Sequence, residues 1–299
     1  MALPIYASPG DYVVHYGFRF FCGLVFLFLI APILIIIPLS FNAEPYFTYT
    51  KAMLTLDPAA FSMRWYDRLL TFGMTNLDAP RDMAWWWDVW NNAQWVHAAK
   101  NSIIIGVAST LLATVLGTIA ALGLSKKEMP FRRVIMALLI SPMIVPLIIT
   151  ATGLFFFYSA TGLAHTYIGI IMAHATLGIP FVIITVTATL VGFDHSLTRA
   201  AANLGATPST IFFKVMLPLI TPGVVSGALF AFVTSFDNYA VSMWLFDAGH
   251  VPLPMMMVSL ISRMFDPGIA AIASLMIFFS LAIVLVLERL AGLRRAMSF

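Results

Sequence analysis

Six apolar runs constrain this 299-residue chain more than any other feature. They lie at about Phe20–Leu39, Ile103–Leu124, Val134–Phe157, Thr166–Val191, Leu219–Phe246 and Ile269–Leu287. Each is near or beyond the roughly 20 residues that a helix needs to cross the hydrocarbon core of a bilayer. Inside lipid a backbone N–H or C=O finds no water, so a spanning segment must satisfy its own backbone, as a helix does. The runs predict an all-α membrane protein with six transmembrane helices. A chain that is 61% apolar and 10% charged fits that class. The first run is too long for a signal-peptide core and lacks a convincing small-residue cleavage site, so it reads as a retained anchor.

Charge gives the runs a direction. Lys126, Lys127, Arg132 and Arg133 crowd the second connection, Arg199 and Lys214 lie in the fourth, and Arg289, Arg294 and Arg295 follow the last run. The third connection has no Lys or Arg and the fifth has only Arg263. Because cytoplasmic loops retain the excess of Lys and Arg, both termini are expected inside. The plan is then a cytoplasmic tail at 1–19, a six-helix domain at 20–290 and a second cytoplasmic tail at 291–299. Within that domain, 40–100 is an outer loop and 191–218 a cytoplasmic one. The net charge of +3 follows from this bias and gives no argument for nucleic acid. A single cysteine, Cys22, excludes an intramolecular disulfide or a Cys-based metal cluster and suits apolar packing.

The cytoplasmic stretch RAAANLGATPSTIFFKVMLP, Arg199 to Pro218, is more patterned than a connector needs to be. Arg199 to Leu204 is mostly good helix former, Gly205 permits a left-handed bend, and Thr207-Pro208-Ser209 restarts a short helix. Its spacing is small-small at Ala200 and Ala201, then Gly205-Ala206, then Val215, Leu217 and Pro218. That spacing resembles the EAA loop of ABC-importer permeases. The resemblance implies the type I importer permease fold, in which this loop forms the coupling helices that seat on a cytoplasmic ATPase. Arg199 stands where the family usually has Glu, and Asp194 lies upstream as a substitute carboxylate.

Further stretches point to one branch of that family. FSMRWYDRLL, Phe61 to Leu70, is similar to the segment that precedes the second span in permeases of the spermidine/putrescine branch, whose relatives also handle opines, iron and phosphonates. FVTSFDNYAVSMWLF, Phe232 to Phe246, resembles that branch's aromatic-rich fifth span, with Asn238 where a second acid is usual. The stretch Leu253 to Met276 resembles its outer Leu-Pro, short helix and Asp/Asn-Pro before the last span. Six of the seven tryptophans fall in the outer loop, and the insert at about Thr71 to Asn91 looks unusual for the branch. The stretch from Trp85 to Trp95 reads as a short helix lying on the membrane or packing under a docked partner. An aromatic cage is disfavoured because Trp85, Trp86 and Trp87 point in different directions on a helix.

Asp237 is the first candidate for ligand chemistry, because a carboxylate inside an apolar span is costly unless it is paired, hydrated or protonated. It either faces a cavity and attracts an ammonium group, or makes a bond that stabilises helix packing. Asn238, Ser235, Tyr239 and Ser242 add nearby hydrogen-bonding groups, and His174 is the other mid-membrane polar residue. Pro142, Pro146 and Pro180 predict kinks near the translocation path. No spacing such as HExxH suits a metal, and no nucleophile-base set suits an enzyme. No GxxxxGK[ST] phosphate loop occurs, so the chain is not expected to hydrolyse ATP itself or to bind a cofactor.

The resemblance thus implies a non-catalytic permease subunit in a bacterial inner membrane. A second permease, an ATPase dimer carrying ATP and Mg, and an extracytoplasmic binding protein are its implied partners. The implied solute is small, polar and polyamine-like, with opine, amino-acid-derived or phosphonate import as alternatives. An ion-coupled secondary transporter is the alternative from a different class.

Overall fold

The computed structural model describes residues 8–126, 128–247, 249–263 and 267–296. Residues 1–7 and 297–299 of the expected tails, Lys127 and Asp266 lie outside the described residues. Regular structure among the described residues is helical, with one isolated antiparallel bridge between Asn42 and Phe61. The order is α1 (Pro9–Leu39), α2 (Lys51–Leu54), a 3-10 turn (Pro58–Ala60), α3 (Arg64–Thr71), α4 (Met83–Asn92), α5 (Gln94–Ser125), α6 (Arg132–Ile144), α7 (Leu147–Ala160) and α8 (Tyr167–Val191). Then follow α9 (Ser196–Asn203), α10 (Pro208–Ile211), a π turn (Phe212–Met216), α11 (Leu217–Phe236), α12 (Tyr239–Leu245), α13 (Leu253–Arg263) and α14 (Gly268–Ala296).

Among the described residues, five helical stretches are long and apolar enough to cross a membrane: Gly10–Leu39, Gln94–Ser125, Tyr167–Val191, Pro208–Phe236 and Gly268–Val286. The third expected span is instead a helix pair, α6 and α7, bent by 105°, and it makes the sixth span when counted as one. The bend falls where Pro146 removes a backbone donor and Val145 turns extended. Pro180, by contrast, sits inside an uninterrupted α8. Helix α1 begins well before Phe20, because Ser8 and Asp11 form a capping box at its start. The fifth run is also broken, since α11 stops at Phe236 and α12 starts at Tyr239.

The chain divides into two compact units, Met1–Leu69 with Arg263–Phe278 and Leu70–Ser262 with Phe279–Phe299. In the first, the segment after α1 is organised on the buried Asn42. Its amide donates to the Tyr46 and Thr48 carbonyls at 2.9 and 3.0 Å, and its own carbonyl accepts the Trp65 indole N–H at 2.7 Å. Trp65 of the FSMRWY segment is therefore core, with the Arg64 guanidinium 4.3 Å from its ring centre.

The second unit is built on α5, α8 and α11, which pack together over most of their lengths. Small residues recur every fourth position on their facing sides: Ser109, Ala113, Gly117 and Ala121 on α5, and Gly223, Gly227, Ala231 and Ser235 on α11. A Cβ added at Gly178 would sit 2.9 Å from Ala231 Cβ and 3.1 Å from Ala113 Cβ, and one at Gly227 would sit 2.7 Å from Val182 Cα. Close approach of backbones is how helices gain packing energy where lipid removes the hydrophobic drive. Tyr167 Oη donates to Asn101 Oδ1 at 2.5 Å, so α5 and α8 start at the same end. The α9–α10 loop that follows α8 therefore lies at the opposite end of this unit.

Candidate functional site

The patterned loop folds as two short helices with a bend, as its residues predict. Asp194 starts α9, accepting from the Ser196 amide at 2.8 Å and the Ser196 hydroxyl at 2.7 Å. Those two bonds, the hydroxyl's first, hold its carboxyl below its ordinary range, with Arg199 and His195 adding positive charge. Its oxygens are thus already engaged at the start of α9. Gly205 has φ +82°, a left-handed backbone that a side chain would strain, and Thr207 caps α10 through the Thr210 amide.

Of the residues expected in the loop's pattern, Arg199, Ala200, Gly205 and Pro218 are exposed, while Ala201, Ala206, Val215 and Leu217 are half-buried. Leu204, at the bend, is 88% exposed. The pattern thus holds the bend in shape and leaves a large apolar side chain at its tip. Leu204 was not singled out in the sequence, and its placement before the left-handed Gly205 was the available signal.

A second constellation lies on α5, α8, α11 and α12. Ser109 Oγ donates to Ser235 Oγ at 2.9 Å, and Ser235 Oγ lies 2.8 Å from His174 Nδ1. The opposite ring nitrogen, Nε2, lies 3.3 Å from Ser242 Oγ, and Ser242 Oγ donates to the Asn238 carbonyl at 2.6 Å. A neutral imidazole with its proton on Nε2 gives every member of this chain a partner. All five residues are buried. Ser109 escaped the sequence reading because it resembles any small packing residue of α5.

This network straddles the break between α11 and α12. The backbone turns extended at Asn238, whose side chain caps α12 by accepting the Val241 amide at 2.9 Å. A continuous helix would have separated Asp237 from Asn238 by facing alone; the break separates them by burial. Asp237 is exposed at the corner and Tyr239 is half-buried, its hydroxyl 3.1 Å from Met243 Sδ, whereas Ser235, Asn238 and His174 bond inward. Among the described residues, no three or more His, Cys, Asp or Glu side chains group to hold a metal.

Comparison with known proteins gives this geometry a context. A family model described as binding-protein-dependent transport system inner membrane component matches residues 113–294. The chain is 30% identical over 264 residues to the spermidine/putrescine transport system permease protein PotC of Haemophilus influenzae, covering 88% of this chain and 92% of that one. It is 30% identical over 286 residues to the putrescine transport system permease protein PotI of Escherichia coli, covering 92% and 88%. Its fold also matches a chain of a bacterial ABC transporter involved in import of the acidic polysaccharide alginate. That match has a TM-score of 0.68 at 19% identity and covers 96% of this chain and 99% of the other.

Proposed function

We propose a solute and a driving route for this chain, which belongs to the family of binding-protein-dependent transport system inner membrane components and is a permease subunit with the ABC-importer fold. The solute is a polyamine-like cation. The single observation that carries this reading is the exposed carboxylate of Asp237 at a helix break inside an apolar span, in a chain with relatives named for spermidine and putrescine. An unpaired carboxylate at that depth is stable beside water or a cation and costly beside lipid. Asp237 and Tyr239 face the solute's path, and the His174 network behind them fixes the corner.

Transport is driven from the α9–α10 end, which lies in the cytoplasm together with both termini. A separate ATPase dimer holds ATP and Mg, and the Leu204 tip of the bend docks on it. Closure of that dimer moves the loop as a rigid lever and switches the permease pair between its two access states. A second permease completes the pore, and an extracytoplasmic binding protein delivers the solute. Reconstitution of the natively assembled complex in proteoliposomes tests the reading. ATP-dependent accumulation of labelled putrescine or spermidine is expected. ATP-dependent accumulation of an opine or phosphonate instead would overturn the solute. Uptake driven by an ion gradient without ATP would overturn the route.

A further inference from the structure

Helix α4, in the insert between the first two spans, is apolar on two opposite sides. One side is core: Trp85 and Val89 are buried against Leu70, Met74, Ala79 and Val96. The other carries Met83, Trp86, Trp87 and Trp90, spaced three and four residues apart so that they form one stripe. Their exposures are 85%, 52%, 69% and 59%, too much apolar surface on one face to be left in water without a purpose. Helix α4 is not free to turn this stripe away. Asp88 accepts from Thr75 and Asn76 in the preceding loop and from Asn92, and Gln94 N–H donates to the Phe72 carbonyl at 2.9 Å.

The attachment of α4 to α5 sets its level. Only Ala93 separates α4 from the membrane-crossing α5. His97 and Lys100, in the first two turns of α5, reach back to the Asn91 and Trp90 carbonyls at the end of α4, and the Lys100 ammonium lies 4.4 Å from the centre of the Trp90 ring. A lysine at the start of a span lifts its charge out of hydrocarbon, so the end of α4 marks the headgroup plane. Arg81 sits at the other end of α4, its guanidinium 5.2 Å from the Trp85 ring centre. A stripe of indoles that ends at the Lys100 ammonium, held at that plane, has the composition of an interfacial anchor.

We infer that the Met83–Trp90 stripe of α4 lies in the lipid headgroup layer at the end of this unit opposite the α9–α10 loop, its indoles at the acyl boundary and Lys100 beside lipid phosphates. Chains carrying Cys22→Ser with Trp87→Cys or Trp90→Cys, spin-labelled and reconstituted as the native complex in phosphatidylethanolamine and phosphatidylglycerol vesicles, test this. Asp78→Cys in the adjoining exposed loop is the aqueous control. Both stripe labels should collide with oxygen more than with an aqueous nickel chelate, the reverse of the control, and adding the binding protein should leave them unchanged. Labels as open to the chelate as the control would overturn the anchor. A fall in that access when the binding protein is added would assign the stripe to protein docking instead.

Discussion

His174 Nδ1 lies 2.8 Å from Ser235 Oγ in the last turn of α11, while Nε2 of the same ring reaches Ser242 on α12. One side chain from α8 therefore grips both sides of the break that exposes Asp237. A broken helix leaves backbone groups without their usual partners, and in a membrane those groups need protein or water around them. Here the Asn238 carbonyl is taken by Ser242 and the Val241 amide by Asn238 Oδ1. The corner is built as a fixed feature.

Removing the ring should loosen that corner. His174→Ala is expected to destabilise the purified protein by about 1–3 kcal/mol, because buried hydroxyls lose their partners. A double-mutant cycle with Ser235→Ala should return a coupling near 0.6 kcal/mol and up to about 1.7, the range for hydrogen bonds between membrane helices. Strictly additive losses in thermal unfolding would show that the pair does not hold the break.

Asp237→Asn keeps the shape of the corner and removes its charge. Uptake of a cationic solute should fall about tenfold or more, equivalent to roughly 1.4 kcal/mol, with complex assembly and melting temperature unchanged. If assembly falls in parallel with uptake, the carboxylate serves packing and not the solute.

The insert has its own acid-sensitive joint. Asp88 is held below its ordinary carboxylate range, first by the Asn92 amide and then by the Asn76 and Thr75 donors, which together outweigh the cost of burial. A depressed folded-state value means that the stabilisation is complete above the ordinary value of 3.8 and is lost as pH falls through the lower folded value. Hydrogen exchange at the Thr75 and Asn76 amides should accelerate, beyond its intrinsic pH trend, as pH drops below about 4. In Asp88→Asn that extra step should vanish. Its persistence would place the titration elsewhere.

Length and hydropathy made the spans legible, because lipid imposes a period-free apolar requirement that any window detects. Local chemistry made the α9–α10 bend legible, since Gly205 and Thr207-Pro208 act within a few residues of themselves. The break at Asp237–Asn238 was hidden because the flanking sequence is as apolar as an unbroken span, and its supports, His174 and Ser109, lie far away in the chain. The 105° bend was legible in its place, which Pro146 marked, and not in its angle. Sequence put Asp237 first and set Ser235, Asn238 and His174 beside it as further polar groups; burial separates three that build the corner from one that it displays.

The loop tip should matter for coupling and not for folding. Leu204 is almost free of intramolecular contact, so Leu204→Glu should change stability by no more than about 0.5 kcal/mol. It should reduce solute-stimulated ATPase activity of the complex about tenfold or more, through a charge placed in an apolar socket. Arg199→Glu, on the exposed side of α9, should alter the same activity without preventing membrane insertion. Normal stimulation in both variants would move the docking contact off this loop.

The glycine stripe gives the sharpest contrast between two positions of like identity. A Cβ at Gly227 would meet Val182 Cα at 2.7 Å and Thr185 Oγ1 at 2.5 Å, atoms of a helix that cannot withdraw without opening the α8–α11 seam. A Cβ at Gly153 in α7 meets nothing within 4 Å. Gly227→Val should therefore cost about 1–3 kcal/mol through overpacking. Gly153→Ala should be neutral or stabilising by up to about 1 kcal/mol, because Ala is the better helix former. Melting temperatures of the two variants in the same detergent decide it. A Gly227→Val protein as stable as its parent would mean that α8 and α11 are not packed backbone to backbone, and the network that joins them at Ser235 would lose its foundation.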